Sequence, residues 1–193
     1  MILVSSDLEK SFLEGLLDHD EAIMRAFYST YYRYLAATVM LYVPREQDMQ
    51  DVMQDIYIKV FTNIEKFTYR GHGSLQAWIH KIAVNESIKF VQSGKKRHHY
   101  PIENYDRQEE DGNDPDEFTI EDIPQQVLLE MIRTLPERYR LVFNLFVFEE
   151  KSHKEIGVLL KIKESTSASN LHRARALLCK KIVEYRKTSD HEK

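Results

Sequence analysis

The sequence predicts an all-α protein: two small helical domains joined by an acidic linker, the C-terminal one a helix-turn-helix. Three observations predict it. Apolar residues recur at three- and four-residue steps on both sides of a break, with no credible strand pattern. The break, residues 101–126, carries ten acids against the single base Arg107. Near the C-terminal end, two helical patterns lie only three residues apart. A chain of 193 residues allows one large or two small domains, at roughly 100–200 residues per domain. Its 42% hydrophobic content is enough for packed cores.

Leu8, Phe12, Leu16 and Leu17 outline a first short helix. Ile23, Phe27, Tyr31, Tyr34, Leu35 and Thr38 outline a longer one, which must stop before Pro44 because an interior proline lacks the donor and clashes with the preceding turn. Met49, Val52, Met53, Ile56, Tyr57, Val60, Phe61 and Ile64 form the most regular stripe. A fourth helix runs from Ser74, placed as an N-cap after Gly71 and Gly73, to about Gln92. Its Leu75, Trp78, Ile79 and Ile82 share one face, which places Trp78 in the core. The eleven tyrosines fall mostly at core spacing. Beyond the acidic stretch, helices are predicted over 127–134, 136–148 with Pro136 in its first turn, 152–160 and 164–187. The domain boundaries read as 1–98, a linker at 99–126, and 127–193.

The formal charge of −4 argues mildly against a nucleic-acid partner until it is resolved along the chain. Residues 1–94 are net −3, Lys95, Lys96 and Arg97 add three positive charges, residues 101–126 are net −9, and residues 127–193 are net +5. The acidity therefore belongs to one short segment. Gly112, Asn113, Asp114 and Pro115 interrupt it, and its acids repel one another, so it reads as an extended linker rather than a surface loop.

Several classes are excluded. One cysteine, Cys179, permits no internal disulfide and no thiolate-rich metal site. No apolar run approaches the ~18 residues that span a bilayer, and residues 1–10 lack a signal-peptide pattern, so the expected location is cytoplasmic. With 6 Gly and no glycine-rich turn, a phosphate-cradling loop is not expected. No catalytic residues, metal site, cofactor or small-molecule substrate is expected. Asp51 and Asp55 sit one turn apart but lack further donors for a metal, and the adjacent His98 and His99 read as surface residues.

Three surfaces carry binding chemistry. In the helix-turn-helix, Ile156, Leu159, Leu160, Ile162 and Leu171 supply packing, while Thr166, Ser169, Asn170 and Arg173 step along one side of the second helix from its first turns. Those turns reach base edges when such a helix enters a major groove. Lys154, Arg175, Lys180 and Lys181 suit phosphates. The bland alternative is a basic helix whose charges only face water; charge, turn length and polar face together favour DNA. On the third helix, the side opposite the stripe holds Asp48, Asp51, Asp55, Ile58 and Thr62, flanked by Gln54. An exposed isoleucine among acids reads either as a docking surface for a basic partner or as an ordinary solvated face. Finally, Phe67, Tyr69, His72 and Trp78 alternate with Lys81 and Lys89 before Lys95, Lys96 and Arg97, a mixture suited to single-stranded nucleic acid.

Two stretches resemble the extracytoplasmic-function (ECF) sigma factors, the smallest bacterial sigma factors, which retain only sigma regions two and four. The first is Asp51-Val52-Met53-Gln54-Asp55-Ile56-Tyr57-Ile58-Lys59-Val60-Phe61, continuing at Trp78-Ile79-His80-Lys81-Ile82-Ala83-Val84-Asn85. The second runs from Leu135-Pro136-Glu137 through Val142-Phe143 and Ser152-His153-Lys154-Glu155-Ile156 to Leu171-His172-Arg173-Ala174-Arg175. Together they extend from about Ala22 to Lys187, in the family's order.

The resemblance implies an alternative sigma factor that binds core RNA polymerase, directs it to promoters and assists melting; the alternative is a stand-alone helix-turn-helix regulator. It implies that Asp51, Gln54, Asp55 and Ile58 dock on the clamp helices of the largest polymerase subunit. Tyr69, His72, Lys81, Asn85, Lys95, Lys96 and Arg97 would meet the minus-ten element. Lys154, Ser165, Thr166, Ser169, Asn170, Arg173 and Arg175 would meet the minus-thirty-five element. The second domain would touch the flap of the second-largest subunit, the linker would thread through the polymerase, and an anti-sigma factor, in this family usually membrane-bound, would restrain the protein. The chain departs from the family pattern at Val84, Lys89, Lys161, Ser167 and Ala168, so promoter sequence does not transfer from relatives.

Overall fold

The computed structural model describes residues 4–94, 120 and 122–191, with side chains as far as residue 188. The chain divides into two compact units, Met1–Lys95 and Lys96–Lys193. The described residues are helical, with no strand among them. Most of the predicted linker, together with Lys95, Lys96 and Arg97, lies outside the described residues.

The first unit holds α1 (Ser6–Leu17), α2 (Glu21–Tyr42), α3 (Glu46–Asn63), a 3-10 turn (Ile64–Lys66) and α4 (Ser74–Gln92). Side chains start the first two helices: Ser5 Oγ accepts from the Leu8 N–H, and Asp20 Oδ1 accepts from the N–H groups of Ala22 and Ile23. Helix α2 stops at Tyr42, two residues before Pro44. The core is Phe12, Leu16, Phe27, Tyr31, Leu35, Val39, Val52, Ile56, Val60, Leu75, Ile79 and Ala83, all essentially closed to water. Phe12 meets Phe27 edge-on at 5.5 Å between ring centroids, and Phe27 meets Tyr31 at 4.9 Å. Each buried Val, Leu, Ile or Phe of this kind stabilises by about 1.5–3 kcal/mol.

In α1, Phe12 and Leu16 are buried as periodicity predicts, but the flanking leucines are not. Leu8 and Leu17 are 41% and 43% exposed, while Glu9 is 1% exposed. The helix is rotated to carry Glu9 inward, where its Oε2 accepts a hydrogen bond from the Gly73 N–H at 2.8 Å. Trp78 is half-buried rather than core, leaning on Phe67 with ring centroids 5.1 Å apart.

Polar ties fix α4 against its neighbours. Lys59 of α3 donates to Glu86 Oε1, which also pairs with Lys89 at 2.9 Å. From α2, the Tyr34 hydroxyl lies 2.9 Å from His80 Nδ1. Burial opposes ionisation of Glu86, but the hydrogen bonds from Lys59 and Lys89 outweigh it and hold the carboxyl below its usual range.

The second unit holds α5 (Gln125–Arg133), α6 (Glu137–Val147), α7 (His153–Leu160) and α8 (Glu164–His191). Helix α5 begins two residues before the predicted boundary at 127, and Pro136 sits at the N-cap of α6 rather than in its first turn. The end of the predicted linker is part of this unit: Ile123 is buried, and Asp122 pairs through both oxygens with Arg186 at 2.7 and 2.9 Å. Leu135, Tyr139 and Ala174 form the core, with Phe143, Leu177 and Leu178 packed on it. Arg140, 3% exposed, donates from one guanidinium nitrogen to the carbonyls of Arg133 and Leu135, satisfying acceptors at the last residue of α5 and in the turn that follows.

The turn between α7 and α8 is tight for two reasons. A Cβ on Gly157 would lie 2.9 Å from the Ile162 carbonyl oxygen, so only glycine lets the turn fold this closely over α7. Lys161 ends α7 in the left-handed region at φ 57° and ψ 42°, a position where glycine is favoured. A capping box between Ser152 and Glu155 starts α7.

Two measurements check these energetics. Lys161→Gly relieves the left-handed strain of about 1 kcal/mol, less the added entropy of the unfolded chain, and is expected to raise the thermal midpoint of the second unit. Glu86→Gln is expected to cost about 1 kcal/mol near neutral pH. Because the folded carboxyl has a lowered pKa, this contribution is complete above the ordinary value of 4.5 and disappears as pH falls through the lowered one. Denaturation curves of wild type and variant therefore converge in acid.

Candidate functional site

Three surfaces result from this packing. The first is the outward side of α3. Burial of Met49, Val52, Met53, Ile56, Tyr57 and Val60 turns Asp51, Gln54, Asp55 and Ile58 to solvent, with Ile58 52% exposed. The helix thus brings all four predicted docking residues onto one side. Asp48, predicted on the same side, is instead buried at 7%. It lies in the first turn of α3, three residues after the N-cap Arg45.

Beside Ile58 runs a groove of about 510 Å³ lined by Tyr28, Tyr32, Gln50, Met53, Gln54, Tyr57, Ile58 and Phe61. Tyr28 is 45% exposed, and its ring lies 4.5 Å from Tyr57 and 5.3 Å from Tyr32. Burial pushes the Tyr57 phenol well above its usual range, and its hydroxyl donates to the Tyr28 carbonyl at 3.2 Å. Sequence reading assigned the tyrosines to the core and so missed this wall. The available signal was that Tyr28 and Tyr32 sit one turn apart, outside the α2 stripe.

The second surface is the loop 67–73 with the exposed side of α4. Lys81 is exposed and Asn85 half-buried on α4, while Tyr69 and His72 sit in the loop. Both loop side chains are anchored through a polar atom. The Tyr69 hydroxyl is 3.0 Å from Ser6 Oγ, and His72 Nε2 is 2.6 Å from the Val4 carbonyl oxygen. Arg70 is exposed between them. Within the loop, Ser74 Oγ donates to the Gly71 carbonyl and accepts from the Arg70 N–H.

The third surface is the start of α8. Ser165, Thr166, Ser169 and Arg173 are exposed, as is Lys154 on α7. Asn170 is a correction: it is 7% exposed and lies on the inward side with Ser167, Leu171 and Ala174. Those four residues recur at three- and four-residue steps, so the polar pattern that placed Asn170 outside includes one position from the packed face. The exposed strip takes His172 and Ala168 in its place. Ser167, fully buried, is tied through Oγ to His153 Nδ1 at 3.0 Å. His153 stacks on Phe146 at 4.8 Å, and the half-buried Arg175 lies 6.0 Å above the Phe146 ring, so its guanidinium is partly engaged within the unit.

Among the described residues, no cluster of three or more His, Cys, Asp or Glu could hold a metal, and no helix is long and apolar enough to cross a membrane.

Comparison with known proteins matches these units in order. The family described as Sigma-70 region 2 matches residues 27–97, and that described as Sigma-70, region 4 matches residues 125–178. The ECF RNA polymerase sigma-E factor of Haemophilus influenzae is 26% identical over 182 residues, covering 90% of this chain and 95% of the relative. The proteins of the same name from Escherichia coli K12 and Salmonella typhimurium LT2 are each 24% identical over 184 residues, covering 90% of this chain and 94% of theirs. A region-two bundle followed by a region-four helix-turn-helix, with relatives matched almost end to end, makes this chain a member of the ECF sigma factors, alternative initiation factors whose partners are core RNA polymerase and promoter DNA.

Proposed function

We propose that the three surfaces divide the work of initiation in the cytoplasm. The outward side of α3, with Asp51, Gln54, Asp55 and Ile58, docks on the clamp helices of the largest polymerase subunit. The loop 67–73 and α4, with Tyr69, His72, Lys81 and Asn85, take up the minus-ten element as it melts, together with Lys95, Lys96 and Arg97. Extruding a base costs a few kcal/mol of stacking, recovered through contacts to the exposed strand. The start of α8, with Ser165, Thr166, Ser169 and Arg173, reads the minus-thirty-five element. Lys154 and Arg175 serve phosphates, and Asn170 holds the helix in place from within. The second unit also rests on the flap of the second-largest subunit, the acidic linker passes through the enzyme, and an anti-sigma factor at the membrane restrains the protein.

The observation that carries this reading is Ile58, an apolar side chain 52% exposed between the acidic side chains of α3. A single exposed isoleucine is ordinary on a solvated face, but Ile58 adjoins the groove lined by Tyr28, Tyr32 and Phe61, and an apolar patch beside acidic side chains suits a partner with a basic and apolar surface. A regulator acting through its helix-turn-helix alone would leave this side of α3 idle.

The double reversal Asp51→Lys, Asp55→Lys is expected to weaken binding to purified core polymerase at least about a hundredfold, since like charges replace attraction at the interface. The affinity of the second unit for duplex DNA should stay within about twofold. Unchanged polymerase binding would leave the stand-alone regulator as the better account. At α8, Thr166→Ala and Arg173→Ala are expected to weaken promoter binding with little change in thermal midpoint. Asn170→Ala should lower the midpoint by an amount equivalent to about 1–3 kcal/mol, as expected when a buried polar side chain is removed.

A further inference from the structure

We propose that residues 4–9 are the positioning element of the loop 67–73, with Glu9 as its principal positioning residue; the proposal rests on the reading that this loop takes an unpaired promoter base. Three residues of the N-terminal segment hold three points of the loop. The Val4 carbonyl oxygen accepts from His72 Nε2 at 2.6 Å, Ser6 Oγ and the Tyr69 hydroxyl share a hydrogen bond at 3.0 Å, and Glu9 Oε2 accepts from the Gly73 N–H at 2.8 Å.

Glu9 is placed at a cost. A charged side chain 1% exposed is unfavourable unless hydrogen-bonded, and in turning inward it leaves Leu8 41% exposed. Phe12 and Leu16, on the same face as Glu9, fix this rotation, so the carboxylate occupies a position that an apolar side chain would fill more cheaply. What Glu9 supplies is a cap from another helix. Gly73 is the N-cap of α4 and has no side chain with which to satisfy the first-turn donors. The Glu9 carboxyl brings an acceptor to that end, where negative charge is favoured by the helix dipole.

The loop needs outside support because its backbone is permissive. Gly71 and Gly73 lie at φ +112° and +84°, with nothing within 4 Å of a Cβ at either position. Glycines in open space confer freedom rather than close packing. The three ties from residues 4–9 remove that freedom and hold the exposed Arg70 and His72 in one arrangement before DNA arrives. A base pocket depends on such preorganisation, since displacement of a supporting group by about 1 Å is enough to spoil it.

The test uses the full chain bound to core polymerase. The probe is a labelled non-template-strand oligonucleotide carrying the minus-ten segment of a promoter found by run-off mapping with this chain, compared with copies in which each base is replaced in turn. Wild type is expected to discriminate against at least one replacement. Glu9→Ala should reduce that discrimination about tenfold while core binding stays unchanged. Glu9→Gln, whose amide oxygen still accepts from Gly73, should retain it within about twofold. Discrimination preserved in Glu9→Ala, or lost equally in both variants together with core binding, would overturn the proposal. The double variant Arg70→Ala, His72→Ala separates the two levels. If it leaves discrimination intact, the loop is not the base-capturing element and both readings fall. If it abolishes discrimination while Glu9→Ala does not, only the positioning role falls.

Discussion

The first unit depends on burial of one side of α3. Val52, Ile56 and Val60 are closed to water, and with Met49, Met53 and Tyr57 they fix the rotation of the helix about its axis. Turning the helix by one position would expose several of them, at about 1.5–3 kcal/mol each. The opposite side is therefore as firmly determined as the core. Asp51, Gln54, Asp55 and Ile58 face outward because no other rotation is affordable, and a docking surface built on such a helix is rigid before its partner arrives. The same constraint reaches α4 through Lys59, whose position on α3 sets where Glu86 must lie.

In the second unit a turn does the equivalent work. Gly157 admits the Ile162 carbonyl, Lys161 accepts a left-handed backbone, and α8 then starts at Glu164 with Ser167, Asn170, Leu171 and Ala174 inward. Ser167, one of the departures from the family pattern, is satisfied by His153, so a polar core position costs little. The outward strip of α8 follows from these inward contacts. In both units the outward side of a helix, which carries the proposed contacts, is what remains once its packed side is fixed, so a small protein can present several surfaces on few residues.

Much of this was legible in the sequence. The α3 stripe has a strict period, and the three-residue gap between α7 and α8 leaves few alternatives to a helix-turn-helix. The failures have a common cause. Asp48 and Asn170, read as surface residues, are buried, and so are Glu9 and Arg140, because periodicity assigns polar residues to the surface. Two of them have partners that periodicity does not show, the Gly73 N–H remote in sequence for Glu9 and the Arg133 and Leu135 carbonyls at the turn after α5 for Arg140. Tyr28 fails in the other direction, because an aromatic residue at near-core spacing can form the wall of a surface groove. Net charge misled until it was resolved by segment, since the −9 of residues 101–126 outweighs the +5 of residues 127–193.

If the docking side of α3 and the two DNA-reading surfaces work as proposed, this chain gives core polymerase a promoter preference it lacks alone. Transcription of genomic DNA by purified core polymerase with and without the chain, with mapping of RNA 5′ ends, tests it most directly. A set of new start sites is expected, sharing two short motifs upstream, near minus ten and near minus thirty-five. Start sites indistinguishable from those of core alone, or sites sharing only a single motif for the helix-turn-helix, would contradict it.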